Sequence, residues 1–277
     1  MTTRPTDDHP EEAHDVLQLT DALIEPIEAL LCDADGNLFP SEEPAFVASA
    51  DVTNHFLAAH GIDRRFTAEE LRLATTGKNF RTTAAELAAD AGVPVTDLDS
   101  WVAEEKQAVT AHLSQVLRPD AEVTAALTAL GRHLALAAVS SSALTRLAAS
   151  FTATGLDELV PPADRYSAED SLPTPTSKPD PAVYLHACAR IGISPAQGLA
   201  VEDSVPGALS AVRAGCPTVG NLRFVAPAER AQRAAQLREA GVLAVVSTWS
   251  ELTQLVLPVL ERRPAPRPSL VPAGGQR

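Results

Sequence analysis

The sequence predicts an α/β protein: a parallel sheet core covered by helices on both faces, with a block of helices inserted after the first strand. Three observations carry this. Short apolar runs at residues 28–33 (EALLCD), 134–139 (LALAAV) and 199–202 (LAVE) alternate with stretches of helical periodicity, as strands buried on both faces do. Each run gives way at its C-terminal end to an acid or a hydroxyl, namely Asp33, Ser140 and Glu202. Residues 43–117, by contrast, hold helical spacing and no strand-like run.

Taken in order, residues 28–33 form the first strand. Residues 44–60 follow as a helix with Phe46, Phe56 and Leu57 on one side and Gly61 ending it. Thr67 and Glu70 stand at capping-box spacing for a second helix. Residues 79–91 and 97–117 supply two more, separated by Gly92 and Pro94. Asp120 caps a helix over 120–130 whose stripe is Val123, Leu127 and Leu130, with Gly131 stopping it. The second strand, 134–139, runs into Ser140-Ser141-Ser142. Pro181 opens a helix to residue 191, the third strand is 199–202, and a helix over 206–214 is closed by Gly215. Residues 218–219 and 243–246 are short strands with a helix between them. The expected organisation is a core of residues 16–42 and 118–261, a smaller helical domain over 43–117, and disordered ends at 1–15 and 262–277. The last of these is rich in Pro, Gly and Arg.

Composition removes several classes of function. The 277 residues carry 22 Lys and Arg against 36 Asp and Glu, a net charge of −14. Nucleic acid and anionic membranes both need a cationic footprint, so neither is an expected partner. Aromatic residues make up only 4%, too few for a base-stacking platform. Cys32, Cys188 and Cys216 form no CxxC pair and are expected to be reduced and structural. No apolar run approaches the ~18 residues of a membrane span, and the first fifteen residues lack the apolar stretch of a secretory signal. The expectation is a cytoplasmic monomer or homodimer.

In open α/β sheets ligands bind outside the carboxyl ends of the strands. There this chain gathers Asp33 and Asp35 from the first strand, Ser140 from the second, and Glu202 and Asp203 from the third; Lys178 joins them from a loop. Carboxylates so close repel one another unless a cation sits among them. An all-oxygen set suits Mg²⁺ better than zinc, which takes His and Cys. A cation among acids attracts an anionic substrate, phosphate above all. Lys178 would neutralise phosphate oxygens and Ser140 would donate to one. Each residue also has a plainer reading: Glu202-Asp203 as an acid pair favoured by a helix dipole, Ser140 as a cap, Lys178 as a solvated lysine.

The order of these pieces resembles the haloacid dehalogenase superfamily, in its phosphatase and phosphomutase branch. LLCDADGNLFPSEE is similar to the first motif, LALAAVSSS to the second, SKPDPAVY to the third and LAVEDSVPGALSAVRAGC to the fourth. The resemblance covers residues 28–255 and implies a Rossmann-like core with a small α-helical cap at 43–117. It implies that Asp33 is a nucleophile taking the phosphoryl group, and that Asp35 is the acid and base. It further implies that Ser140 and Lys178 hold phosphoryl oxygens, and that Asp33, Asp35 (through its carbonyl), Glu202 and Asp203 hold Mg²⁺. The activity so implied is a Mg²⁺-dependent phosphatase of a small phosphorylated metabolite such as a sugar phosphate or phosphoglycolate. A phosphomutase of the same fold and a non-catalytic binder of phosphorylated metabolites are the rivals. Pure dehalogenases lack the second aspartate and the metal, so Asp35 with Glu202 and Asp203 points to phosphoryl transfer.

Three departures stand out. Asn37 replaces the usual Thr, the stretch before Lys178 is rich in proline, and Ala45 stands where the sugar-phosphate mutases carry a histidine, which favours a hydrolase. In the inserted block, Lys78 and Arg81 fall at the start of a helix, where cations oppose the dipole. They are either substrate contacts across a closed cleft or solvated surface charges.

Overall fold

The computed structural model describes residues 19–75 and 79–263. The expected disordered termini fall mainly outside that range, and so does Lys78. Arg262 and Arg263, expected in the tail, are held instead: Arg262 ion-pairs with Asp21 at 2.6 Å, and Arg263 donates to the carbonyl of Ile24 at 2.5 Å.

A short helix α1 (Asp21–Ile24) leads into β1 (Ala29–Cys32). Four helices follow before the next strand: α2 (Glu42–Ala59), α3 (Ala68–Ala74), α4 (Phe80–Asp90) and α5 (Leu98–Val116). Their caps explain their starts. Thr67 and Glu70 form the expected reciprocal box, and Asn79 accepts from the N–H of Thr82. Helix α6 (Ala121–Leu130), capped by Asp120, precedes β2 (Ala135–Ser140). Then come α7 (Leu144–Thr154), β3 (Arg165–Ser167), α8 (Ala182–Ile191) and β4 (Gly198–Glu202). The chain finishes with α9 (Val205–Ala214), β5 (Thr218–Asn221), α10 (Arg230–Glu239), β6 (Ala244–Val246) and α11 (Trp249–Glu261).

The six strands form one all-parallel sheet in the order β3-β2-β1-β4-β5-β6. Strand β1 is central, and the chain builds outward from it first to one side and then to the other. Its carboxyl end is therefore a topological switch point, where such sheets open a crevice. Both faces are buried, as the unbroken apolar runs imply. Leu30 and Cys32 of β1 pack in a cluster with α5, α6, α7 and α11, while Ala29 and Leu31 face α8 and α9 on the other side. Burial in that first cluster, beside Asp33 and Glu202, pushes the Cys32 thiol far above the usual range, so it is a core residue rather than a nucleophile.

The inserted helices have a hydrophobic cluster of their own, built on Phe56, Leu57, Leu71 and Trp101. Helix α5 also packs on α7, which sets the insertion over the carboxyl edge of the sheet. Among the described residues no helix is long and apolar enough to cross a membrane.

Candidate active site

Beyond Cys32 the chain stays paired for one more residue, the N–H of Asp33 donating to the carbonyl of Val201 at 2.9 Å. It then turns sharply at Gly36 (φ +80°), a conformation that side chains resist. A Cβ there would lie 2.5 Å from Oδ2 of Asp203, so glycine is also what lets that carboxylate approach the turn. The departure at Asn37 finds its reason here. Its buried amide donates to the carbonyls of Asp33 (3.0 Å) and Val201 (3.1 Å), and its Oδ1 accepts from Asn221 at 2.8 Å. The indole N–H of Trp249 donates to its carbonyl at 3.1 Å. One residue thus ties the ends of β1, β4 and β5 and the start of α11 around the turn that carries Asp33.

Lys178 lies at the centre of the site. Its Nζ donates to Asp33 Oδ1 (2.5 Å), Glu202 Oε1 (2.6 Å) and the carbonyl of Val139 (2.7 Å). Burial opposes its charge, but the carboxylates of Asp33 and Glu202 outweigh that and hold the ammonium well above the usual lysine range. The Tyr184 hydroxyl donates to the same Glu202 oxygen at 2.6 Å.

Asp33, Glu202 and Asp203 bring carboxylate oxygens within 4.8 Å of one another, all three residues being buried. Burial, reinforced by Glu202, pushes Asp33 well above the carboxylate range despite Lys178. Burial and the charges of Asp33, Glu42 and Glu202 do the same to Asp203. Glu202 Oε2 and Asp203 Oδ1 are buried with no hydrogen-bond donor. Three clustered carboxylates against a single ammonium, with orphaned oxygens among them, form the donor set that fits a hard divalent cation.

Asp35 has a separate environment. Its carboxylate accepts from Ser41 (2.5 Å), Ser142 (2.7 Å) and Arg146 (3.1 Å). Burial would raise its proton affinity, but the Arg146 charge and the two hydroxyls outweigh that and leave the carboxyl below the usual range. The three serines after β2 divide their work. Ser140 Oγ accepts from the N–H of Ser142, Ser141 Oγ from the N–H of Lys178, and Ser142 serves Asp35.

These groups open into a cavity of about 890 Å³, roofed by α2, α4 and α5 and floored by Asp33, Asp35, Ser140 and Lys178. All six residues expected at the strand ends and the Lys178 loop converge at this one edge. Arg81 does not join them. It is half exposed, pairs with Asp99 at 2.5 Å and is not part of the cavity wall, so this structure gives its substrate-facing reading no support. Arg146, Ser41 and Tyr184 were not expected. Arg146 lies on a helix without motif character, while Ser41 and Tyr184 lie within the first and third motif segments, where the resemblance implies no role for them.

A family description of haloacid dehalogenase-like hydrolases matches residues 27–215. The chain therefore belongs to the haloacid dehalogenase-like hydrolase family. Among curated proteins it is similar to CbbY of Cereibacter sphaeroides, with 29% identity over 199 residues, covering 68% of this chain and 81% of that one. Among solved structures it resembles a conserved haloacid dehalogenase-like protein from Agrobacterium tumefaciens (25% identity, TM-score 0.64, 83% and 97% of the two chains). It also shares its fold with a CbbY variant from Rhodobacter sphaeroides in complex with xylulose-1,5-bisphosphate (22% identity, TM-score 0.63, 82% and 96%).

Proposed function

We propose that this hydrolase cleaves the phosphoric monoester of a small metabolite, such as a sugar phosphate or phosphoglycolate, with Mg²⁺ as cofactor and Asp33 as nucleophile. The observation that carries the reading is the convergence of Asp33, Lys178, Glu202 and Asp203 at the floor of the cavity, with the Asp35 carboxylate held apart from them.

Asp33, Glu202, Asp203 and the main chain of Asp35 would hold Mg²⁺, which when bound supplies charge neutralisation between the nucleophile and the phosphoryl oxygens. Lys178 fixes one oxygen of Asp33 and, with Ser140, presents positive and hydrogen-bonding partners to the transferring group. Asp33 attacks phosphorus, the ester oxygen departs with a proton from Asp35, and an aspartyl-phosphate remains on Asp33. Asp35 then takes a proton from water as that water attacks phosphorus, and phosphate is released. In the free protein Arg146, Ser41 and Ser142 favour the ionised form of Asp35, so it must gain a proton before the first step. An incoming phosphate dianion raises its proton affinity, so Asp35 takes up a proton from solvent as substrate binds and can then give it to the leaving oxygen. Helices α2–α5 act as the cap that keeps bulk water out. Ala45 lies in the cavity wall and has no proton to offer, which favours hydrolysis over phosphoryl return to an isomer.

The test is phosphate release from a panel of phosphorylated metabolites. Release is expected to require Mg²⁺, to stop in excess chelator, and to fall to background in Asp33→Asn. Isomerisation without release would sink the hydrolase in favour of the mutase. Turnover surviving in Asp33→Asn would exclude the aspartyl-phosphate route.

A further inference from the structure

The cavity is far larger than a phosphoryl group requires, and its cap-facing half contains groups that the chemistry above does not use. Helix α2 contributes Ser49 and Thr53 there, α4 contributes Phe80 and Thr83, and α5 contributes Glu105. Thr53 is wholly buried, and its Oγ1 has no hydrogen-bond partner. A buried hydroxyl in that state is stabilised by any ligand group that completes it. The Ser49 hydroxyl beside Glu105 favours its charged form. Burial pushes the Glu105 carboxyl above the usual range, so a further hydroxyl donating to it would offset lost hydration. Each positive charge described in the wall is paired with a carboxylate: Lys178 with Asp33 and Glu202, Arg146 with Asp35, its Nε alone lacking a partner, and Lys106 with Glu169. The far half therefore offers hydroxyls, a carboxylate and an aromatic ring, with each described cation paired.

We propose that the cap-facing half receives the uncharged, hydroxyl-bearing end of a sugar or polyol monophosphate, with Thr53 Oγ1 and Glu105 as its hydrogen-bond partners. A far end carrying a second phosphate or a carboxylate is disfavoured. The reason is chemical. A sugar hydroxyl can both donate to Glu105 and satisfy Thr53, whereas an anion has no proton to give Glu105 and repels its charge. Phe80 suits the apolar face of a sugar ring. The proposal rests on the phosphatase reading and narrows its substrate class.

The test compares kcat/KM, by phosphate release with Mg²⁺, for an aldose or polyol monophosphate, phosphoglycolate, a sugar bisphosphate and an aryl phosphate as reference. The unaltered protein is expected to favour the neutral-ended monophosphate over both doubly anionic substrates by about tenfold or more. Thr53→Val, which keeps the shape and removes the hydroxyl, is expected to lower the ratio of polyol to aryl phosphate turnover by roughly 3- to 10-fold, the worth of one hydrogen bond. Glu105→Gln is expected to raise the ratio of phosphoglycolate to polyol phosphate several-fold. Preference of the unaltered protein for phosphoglycolate or the bisphosphate would overturn the proposal, as would a Thr53→Val variant that changes all substrates alike. Should Thr53→Val not fold, the native preference and Glu105→Gln decide the matter. Failure of the phosphatase reading has a different signature, namely no phosphate from any substrate, the aryl ester included. Calorimetric binding of the polyol monophosphate against phosphoglycolate then decides this proposal by itself.

Discussion

At Asp203, function and stability pull in opposite directions. Its carboxyl is buried beside Asp33, Glu42 and Glu202, which pushes its proton affinity well above that of an unfolded aspartate. A raised folded-state value means that the native state prefers the protonated form. The associated stability is present in acid and lost as pH rises, so at neutral pH the ionised group is destabilising. Asp203→Asn should therefore raise the melting temperature of protein in EDTA at pH 7.5 by roughly 2–4 °C, about what 1 kcal/mol is worth in a chain of this size. That advantage should shrink as pH falls towards 4, where the carboxyl of the unfolded chain protonates as well and the two states no longer differ in bound protons. Added Mg²⁺ should stabilise the unaltered protein and leave the variant unmoved, because only a group that binds the native state shifts the equilibrium. Thermal melts over pH and Mg²⁺ concentration check all three outcomes. A variant less stable than the parent in EDTA would mean that Asp203 makes favourable contacts outweighing its burial.

The start of α9 shows how an element can be shaped by what it faces rather than by its own propensity. Gly207 lies in its first turn, where alanine would be the better helix former by ~1 kcal/mol. A Cβ at that position would lie 1.9 Å from Oε2 of Glu202. Glu202 cannot swing away freely, because Lys178 and Tyr184 hold its other oxygen. Gly207→Ala should thus fold, yet raise the Mg²⁺ concentration needed for half-maximal activity by about tenfold or more, through a displaced Glu202. A Mg²⁺ titration of activity alongside a thermal melt separates the two effects. Legibility in the sequence follows the same division between local and distant causes. Strands β1, β2 and β4 were readable because an apolar run ending in an acid or hydroxyl is a local pattern. Strand β3 was not: its three residues, Arg-Tyr-Ser, begin with a buried arginine. That arginine is satisfied by Asp157, the carbonyl of Val160 and the ring of Phe151, none of them visible as a pattern. Helix α7 went unread for a similar reason. Its Arg146 became informative only when the fold set it against Asp35, 111 positions away. Asn37 was noticed as an oddity, but its meaning needed Asn221 and Trp249.

For the whole molecule, a net charge of −14 surrounds a site that must admit a phosphate dianion. The field at long range repels substrate, and only close to Lys178, Arg146 and a bound cation does it reverse. Screening should weaken the repulsion more than the buried contacts. With Mg²⁺ saturating, kcat/KM for an anionic ester should rise as monovalent salt increases from about 10 to 150 mM, the range over which the Debye length falls to ~8 Å. Stopped assays at fixed free Mg²⁺ measure this, and a monotonic fall would locate the dominant electrostatics inside the cavity instead. The cap is joined to the core by ion pairs that salt also weakens. Arg72 of α3 reaches Glu229 ahead of α10 at 2.9 Å, and Lys106 of α5 meets Glu169. Exposed pairs of this kind are worth little individually, and the apolar packing of Val109 and Leu113 of α5 in the core cluster, which salt does not weaken, holds the two parts together beside them.

The hydrogen bond from Trp249 to Asn37 joins residues 212 positions apart, and this has a consequence for the order in which the protein is made. The turn bearing Asp33 leaves the ribosome early, but three of its anchors, the carbonyl of Val201, the amide of Asn221 and the indole of Trp249, are translated much later. A nascent chain can form the first strand and fold its inserted helices, but Asp33, the proposed nucleophile, is not held until the helix beginning at Trp249 has emerged and docked. Hydrolysis is thereby timed to the end of synthesis, and a ribosome stalled before residue 249 would display a chain that is largely shaped and catalytically silent.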